Sequence, residues 1–442
     1  MPTEAAAIVI FVLTYVAIAL GRIPGLRLDR AGAALAGAAA MVAFGALSLH
    51  EAYRAIDLGT ITLLLGMMVV VANLRLSGCF EAVGAWVAAR ARHPLLLLAA
   101  VVLVCGFFSA FLVNDTVCLV LTPLVYELSV RLGRRPVPYL LAVAMASNVG
   151  SVATITGNPQ NIIIGSLSGI SYARFAAALA PIAGIGLLIT IACLALAFRG
   201  EFLTRERLHS GASSGPGQAF GSRRAPVSTT GSTPGPAPRP APVLTSGPGP
   251  MPDAQADRPL MVKSVVVTLA MMAAFFAGLP PPAVAIAAGA LMLITRRVES
   301  RKVYAEIDWP LLVMFAGLFI VVAGLEKWVI SDRTIAIIGA LRLDRIPVLS
   351  SLTVVLSNLV SNVPAVLVLR PFVAALHDPR RAWLALAMAA TLGGNLTLVG
   401  SIANLIVVRG AETRGVRIGF WTYLGVGVPL TVLTVLVGVL WL

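Results

Sequence analysis

Four short polar stretches interrupt an otherwise apolar chain, and they hold the residue types that can bind an ion or a polar solute. Two are brief: Asn114-Asp115-Thr116 and Ser361-Asn362. Two are longer, 148–161 and 391–404, and rich in Gly, Ser, Thr and Asn. Asn, Ser and Thr can complete a site for an anion or a cation without carrying a fixed charge. Gly150, Gly157, Gly393, Gly394 and Gly400 permit tight turns and close backbone approach. Asp115 is the one acid placed near mid-membrane depth, where an ionisable residue is a functional candidate by default. It reads as a proton-coupling group or cation ligand, or as a cap on the arm that follows. Asn114 and Asn362 likewise suit helix caps as well as a site. Asp57 and Asp308 precede apolar spans and read as interfacial N-caps. Arg370 lies two turns past the second tip, roughly 12 Å along a helix, within reach of the outer surface or of a substrate.

The elements that must position these residues are membrane spans. The 442 residues are 58% hydrophobic and 12% charged, with a mean hydropathy of +0.93. Runs of about 20 apolar residues, the length needed to span a bilayer, recur along the chain. Spans are expected at 5–21, 31–47, 58–74 and 175–198, then at 262–279, 283–294, 309–325 and 420–442. A shorter amphipathic stretch, 76–92, suits the interface. Apolar arms at 95–112 and 117–130, and at 348–359 and 364–373, make two re-entrant hairpins. Short apolar pieces flank each long polar stretch, as in a broken helix. The four cysteines lie in or beside apolar runs without metal-ligand spacing and read as small core residues. The N-terminus lacks a basic region and reads as a first span.

The second half repeats the first. Ala144-Met145-Ala146 followed by Gly150, Thr154, Gly157 and Asn161 is echoed, without a gap, by Ala387-Met388-Ala389 followed by Gly393, Thr397, Gly400 and Asn404. Pro123 follows Asn114 by nine residues, as Pro371 follows Asn362. The expected domains are an N-terminal repeat over 1–203, a disordered Gly/Pro/Ser-rich cytoplasmic linker over 204–259, and a C-terminal inverted repeat over 260–442. The fold class is an all-α polytopic membrane protein of two inverted repeats, each with five spans, a hairpin and a broken helix. With both termini outside, 24 of the 33 Lys and Arg fall in inside loops and 8 in outside ones. The formal charge of +14 therefore reflects topology and not nucleic-acid binding. Interrupted helices at matching positions of two repeats point to a midplane site, where half-helix N-termini face an anion and freed carbonyls face a cation.

In these motifs the sequence resembles the ion-transporter superfamily, which includes divalent-anion/sodium symporters, arsenical pump membrane proteins, citrate–metal transporters and sodium/proton antiporters of the same fold. FFSAFLVNDTVCLVLTPLV resembles the first hairpin of that group, and ASNVGSVATITGNPQNIIIGS its first broken helix. The resemblance covers the chain apart from the linker. It implies a secondary transporter of a small anion, such as a di- or tricarboxylate, sulfate or arsenite, coupled to Na+ or H+. It further implies an inner-membrane homodimer whose hairpin-bearing part moves as an elevator. Repeat symmetry and resemblance together assign Asn114, Thr116, Asn158, Ser361, Asn362, Thr397 and Ser401 to the substrate. They assign Asp115, Asn148, Ser151, Gly157, Asn395, Gly400 and Asn404 to the coupling ion. Val113-Asn114-Asp115 and Ser361-Asn362-Val363 stand where the dicarboxylate branch has Ser-Asn-Thr, which argues against a standard sodium/dicarboxylate symporter. NDTVCLVLTP is closer in wording to the arsenite and general anion-permease branch. A Na+/H+ antiporter working through Asp115 is the alternative. A channel would need a continuous polar pore. An enzyme would need a nucleophile–base pair or metal set, and the chain has no HExxH, GxSxG or P-loop. No cofactor and no metal beyond Na+ is expected.

Overall fold

The computed structural model describes residues 3–20, 28–91, 93–202, 257–295, 297–329 and 342–442. The linker expectation over 204–259 lies outside the described residues except for its last three. The helices of the first half are α1 Thr3–Leu20, α2 Arg30–Ala43, α3 Leu49–Ala55, α4 Leu58–Leu76, α5 Cys79–Arg90, α6 Pro94–Phe111, α7 Asn114–Arg131, α8 Pro136–Ser151, α9 Pro159–Ser168, α10 Tyr172–Ala197 and α11 Arg199–Phe202. Those of the second are α12 Arg258–Phe276, α13 Pro281–Leu293, α14 Ser300–Ala305, α15 Trp309–Val329, α16 Ile346–Val360, α17 Asn362–Ala374, α18 Pro379–Gly393, α19 Ile402–Glu412 and α20 Phe420–Trp441. Among the described residues, seven helices are long and apolar enough to cross a membrane.

Local chemistry sets the helix starts. Asp57 Oδ1 accepts from Thr60 N at 3.1 Å, and Asp308 Oδ1 from Leu311 N at 3.1 Å, so both acids are N-caps of their spans. Ser48 and Glu51 form a reciprocal capping box at α3. Pro94, Pro136, Pro159, Pro281 and Pro379 open their helices, where a missing N–H costs nothing. The four cysteines are free thiols.

The helices sort into two groups. In one, α4 lies along α13 and α2 along α15, so each half's scaffold helix is paired with a helix of the other half. Lipid gives such helices no hydrophobic reason to associate, and close backbone approach takes over. A Cβ on Gly66 would sit 2.5 Å from the Ala285 carbonyl carbon, and one on Gly317 2.7 Å from that of Ala34. Two cross-half ion pairs pin the same swap: Arg75 of α4 with Glu306 beyond α14, and Lys327 of α15 with Glu51 of α3 at 2.7 Å. The other group holds both hairpins, α6/α7 and α16/α17, and both broken helices, α8/α9 and α18/α19. Both arms of each hairpin pack on the broken helix of their own half, and the second arm also reaches that of the other half.

The breaks are narrower than expected. Asn114-Asp115-Thr116 does not separate the arms of the first hairpin. The chain turns at Leu112-Val113 and the polar triplet is already the first turn of α7. In the second hairpin the break is Ser361 alone, at φ +79°. Helix α8 runs through Ser151, so Asn148 is helical, and the unwound segments shrink to 152–158 and 394–401.

Candidate functional site

The tips of both hairpins and the ends of both broken helices meet at a cavity of about 30 Å³. Its polar lining is Arg30, Asn114, Asp115, Gln160, Ser361, Asn362 and Ser401. Scaffold residues Ile18, Leu311, Met314 and Phe315 form the apolar wall. A larger vestibule of about 710 Å³ shares Arg30, Ser361 and Ile402 with it and continues past Asp29, Asp308, Asn358 and Arg409. Helices α7 and α17 both begin here, turning their unpaired N–H groups and positive dipole ends toward the cavity.

Behind the lining lies a buried network of carboxamides and hydroxyls in which the two halves bond alike. Asn148 uses all four of its hydrogen-bonding positions. Its Nδ2 donates to Asn395 Oδ1 at 2.9 Å and Asn404 Oδ1 at 3.0 Å. Its Oδ1 accepts from Asn114 Nδ2 at 3.2 Å and Ser401 Oγ at 3.1 Å. Thr391, its repeat equivalent, accepts from Asn158 Nδ2 at 3.1 Å and donates toward Asn161 Oδ1 at 3.5 Å. The Asn158–Thr391 bond is thus the symmetry mate of Ser401–Asn148. Asn158 also donates to Ser151 Oγ at 3.0 Å and caps α9 by accepting from Asn161 N at 2.8 Å. The Asn362 amide, oriented to satisfy both its ends, donates to Ala390 O at 3.1 Å and Gly400 O at 3.2 Å. Buried polar groups are expensive unless paired, so a network this complete holds the loops in one arrangement.

One group in this network is left over. Asn114 Oδ1 is buried without a partner among the described residues. Asp115 makes no ion pair within 4 Å among them. Both residues line the cavity, which therefore presents acceptors as well as donors.

Of the residues expected at the site, Asn114, Asp115, Ser361, Asn362 and Ser401 line the cavity. Asn148, Ser151, Asn158, Asn395 and Asn404 form the supporting network. Gly157 and Gly400 turn tightly against the carbonyls of Ser151 and Gly394. Two residues do not join them. Thr116 is half-buried in the first turn of α7, away from the cavity lining. Thr397 donates to Asn358 Oδ1 at 2.9 Å and ties its loop to α16. Arg370 does not line the cavity; its side chain is 36% exposed and its Nε faces Glu326 Oε1 at 3.7 Å. Four participants were missed, one of them Asn161, although the repeat register already paired it with Asn404. Gln160 lines the cavity and donates to Thr391 Oγ1 at 3.1 Å, but its repeat equivalent is Ala403, so symmetry gave no signal. Thr391 is the repeat equivalent of Asn148, and that correspondence was a usable signal. Arg30 comes from the scaffold, and no motif marks it.

The chain is 31% identical to the 46 kDa membrane protein of Mycobacterium leprae, over 99% of this chain and 98% of that one. It is 30% identical to the silicon efflux transporter LSI3 of Oryza sativa subsp. japonica, over 94% and 93%. The crystal structure of the Alcanivorax borkumensis YdaH transporter aligns with 100% of this chain and 97% of its own, at a TM-score of 0.54 and 14% identity, which is a likeness of fold. The fold is accordingly that of a polytopic transporter with inverted repeats. With a family model matched over residues 15–378, this multi-pass membrane protein belongs to the citrate transporter family.

Proposed function

We propose that the chain is a secondary active transporter of a small hydroxylated inorganic solute of the arsenite and silicic acid class, coupled to Na+ or H+. The observation that carries this is the unpaired Asn114 Oδ1 beside Asp115 in a cavity otherwise lined by carboxamides and hydroxyls. Sulfate offers acceptors only, and citrate a single hydroxyl among three carboxylates, so neither makes much use of a buried acceptor beside a carboxyl group. An undissociated oxyacid, As(OH)3 or Si(OH)4, offers both O–H donors and oxygen acceptors. A tricarboxylate also calls for several cations at close range, and Arg30 is the one cationic side chain in the cavity lining among the described residues. The silicon efflux transporter among the relatives agrees with this solute class. The cavity lies between the hairpin group and the scaffold group, as an elevator within a homodimer requires. With both termini outside, the vestibule past Arg30 and Arg409 opens to the cytoplasm, and the plasma membrane is the proposed site of action.

The test is flux into proteoliposomes containing the purified protein. Arsenite or silicic acid should move saturably, at a rate about tenfold or more above citrate and sulfate, matching a difference of one or two buried hydrogen bonds. Saturable citrate flux without oxyacid flux overturns the reading. Asp115 and Arg30 lining one cavity also favour a second reading, a Na+/H+ antiporter. Sodium-driven proton movement in vesicles free of oxyacid, lost in Asp115→Asn, would select it.

A further inference from the structure

A helix that unwinds inside a membrane frees carbonyl oxygens, and in transporters such carbonyls are where a coupling cation binds. Here each break leaves two of them facing inward: Ser151 O, on the last residue of α8, and Thr154 O in the first half, Gly394 O and Thr397 O in the second. These four are equivalent by the repeat register, and none is vacant. Asn161 Nδ2 donates to Ser151 O and Thr154 O at 3.0 Å each. Asn404 Nδ2 donates to Gly394 O at 2.7 Å and Thr397 O at 3.2 Å. Both asparagines are the third residue of the helix that follows the break, and both are fully buried.

The orientation of each amide is fixed by its other end. Asn404 Oδ1 accepts from Asn148 Nδ2 at 3.0 Å, and Asn161 Oδ1 faces the Thr391 hydroxyl at 3.5 Å. The nitrogen ends must therefore point at the carbonyls. A carboxamide NH2 presents two diverging positive N–H dipoles, one for each carbonyl, with no net charge to desolvate. That is the electrostatic service a bound alkali cation gives to the same oxygens.

We propose that Asn161 and Asn404 are built-in substitutes for a metal cation: they close the two loops permanently, and the chain takes no Na+ at either. This narrows the coupling ion left open in the proposed function. The test needs no transported solute, so it holds or fails independently of the oxyacid reading.

The experiment is thermal unfolding of the purified full chain in detergent, with NaCl exchanged for choline chloride at constant ionic strength. Specific binding to the folded state raises the midpoint by mass action. In an Asp115→Asn parent, whose cavity holds no acid, the midpoint should shift by less than about 1 °C between the two salts, and adding Asn161→Ala or Asn404→Ala should make it unfold earlier and recover about 2–4 °C in Na+ alone. Should the alanine variants not fold, Asn161→Asp and Asn404→Asp keep the shape and place a carboxylate against two carbonyls. Their folding should then require Na+ or another cation. Stabilisation of the Asp115→Asn parent by Na+ overturns the proposal, because the loops would then hold a cation beside the amides. Variants that fold and ignore Na+ overturn it equally, because the exposed carbonyls would then form no cation site.

Discussion

Asn161 and Asn404 make the same bonds in the two halves, while the hairpin tips a few ångströms away do not match. The first tip turns through Val113 at φ −56°, an ordinary conformation. The second turns through Ser361 at φ +79°, which L-residues with a Cβ rarely adopt. The mouths differ too. The vestibule of about 710 Å³ is bordered by Asp29, Arg30, Asp308 and Arg409, whereas its counterpart in the other half, of about 230 Å³, is bordered by Tyr172, Phe275 and Pro282. Symmetry is thus kept where the loops must be held and abandoned at the tips and the mouths. A duplicated scaffold can supply a rigid centre from both copies, while unequal mouths leave the cavity more open on one side in this conformation.

The sharpest way to break the equivalence of the halves is at the hairpin–broken-helix contact. A Cβ on Gly150 would lie 2.2 Å from Gly106 O, a backbone atom that cannot yield, whereas one on Gly393 would meet the Ser357 hydroxyl at 2.9 Å. Gly150→Ala should cost about 3 kcal/mol or prevent folding, and Gly393→Ala about 1 kcal/mol, in detergent unfolding. Equal effects would show that the two contacts are equivalent after all. Next come the tips. Asn362 donates two hydrogen bonds to backbone and Asn114 one to a side chain. Both alanine variants should lose tenfold or more of flux, and Asn362→Ala should also be the less stable, by about 1 kcal/mol. Equal stability with equal flux loss would mean that the second tip bears no extra structural load.

Ser361→Gly sharpens the same comparison from the other side. Removing the Cβ at φ +79° should raise stability by about 1 kcal/mol, with no matching gain for Val113→Gly. Smallest is the exposed pair that pins α3 to α15. The hydrogen bond from Lys327, with those from Ser48, holds the Glu51 carboxyl down from 4.5 to about 2. A depressed carboxylate adds stability above its unfolded value of 4.5 and loses it as pH falls toward 2. Lys327→Gln should therefore narrow a slight acid destabilisation between those limits, visible as a difference in unfolding midpoints between pH 5 and pH 3. The more enclosed Arg75–Glu306 pair, at 22% and 26% side-chain exposure against 40% and 43%, should matter more at neutral pH.

The repeat was legible because Gly, Thr and Asn recur at unbroken spacing, and with the resemblance it directed attention to the broken helices where Asn148, Asn158, Ser401 and Asn404 bond. The hairpins were legible as polar interruptions, but their exact turns were not. Asn114-Asp115-Thr116 looks like a break, yet polar residues favour the first turn of a helix, and the chain bends instead at apolar Leu112-Val113. Gln160 and Arg30 were hidden for opposite reasons. One sits inside the motif but lacks a mate in the other half, and the other enters from the scaffold with no local mark. Arg370 could be placed only by its helical rise, because its partner, Glu326, lies on another element far away in sequence. The pairing of α4 with α13 was invisible, since Gly66 and Ala285 look like any small residues in an apolar run.

That pairing has a consequence for how the molecule is made. When α4 leaves the ribosome, the surface that Gly66 prepares for Ala285 has nothing to meet, and it stays unmet until synthesis is well into the second half. The same holds for α2, which waits for Gly317. The first half must therefore rest in the lipid as an unfinished bundle, its narrow faces covered by acyl chains, until the later helices arrive and displace them. The α4 surface can close once α13 is made and that of α2 only after α15, so neither repeat completes its scaffold contacts by itself.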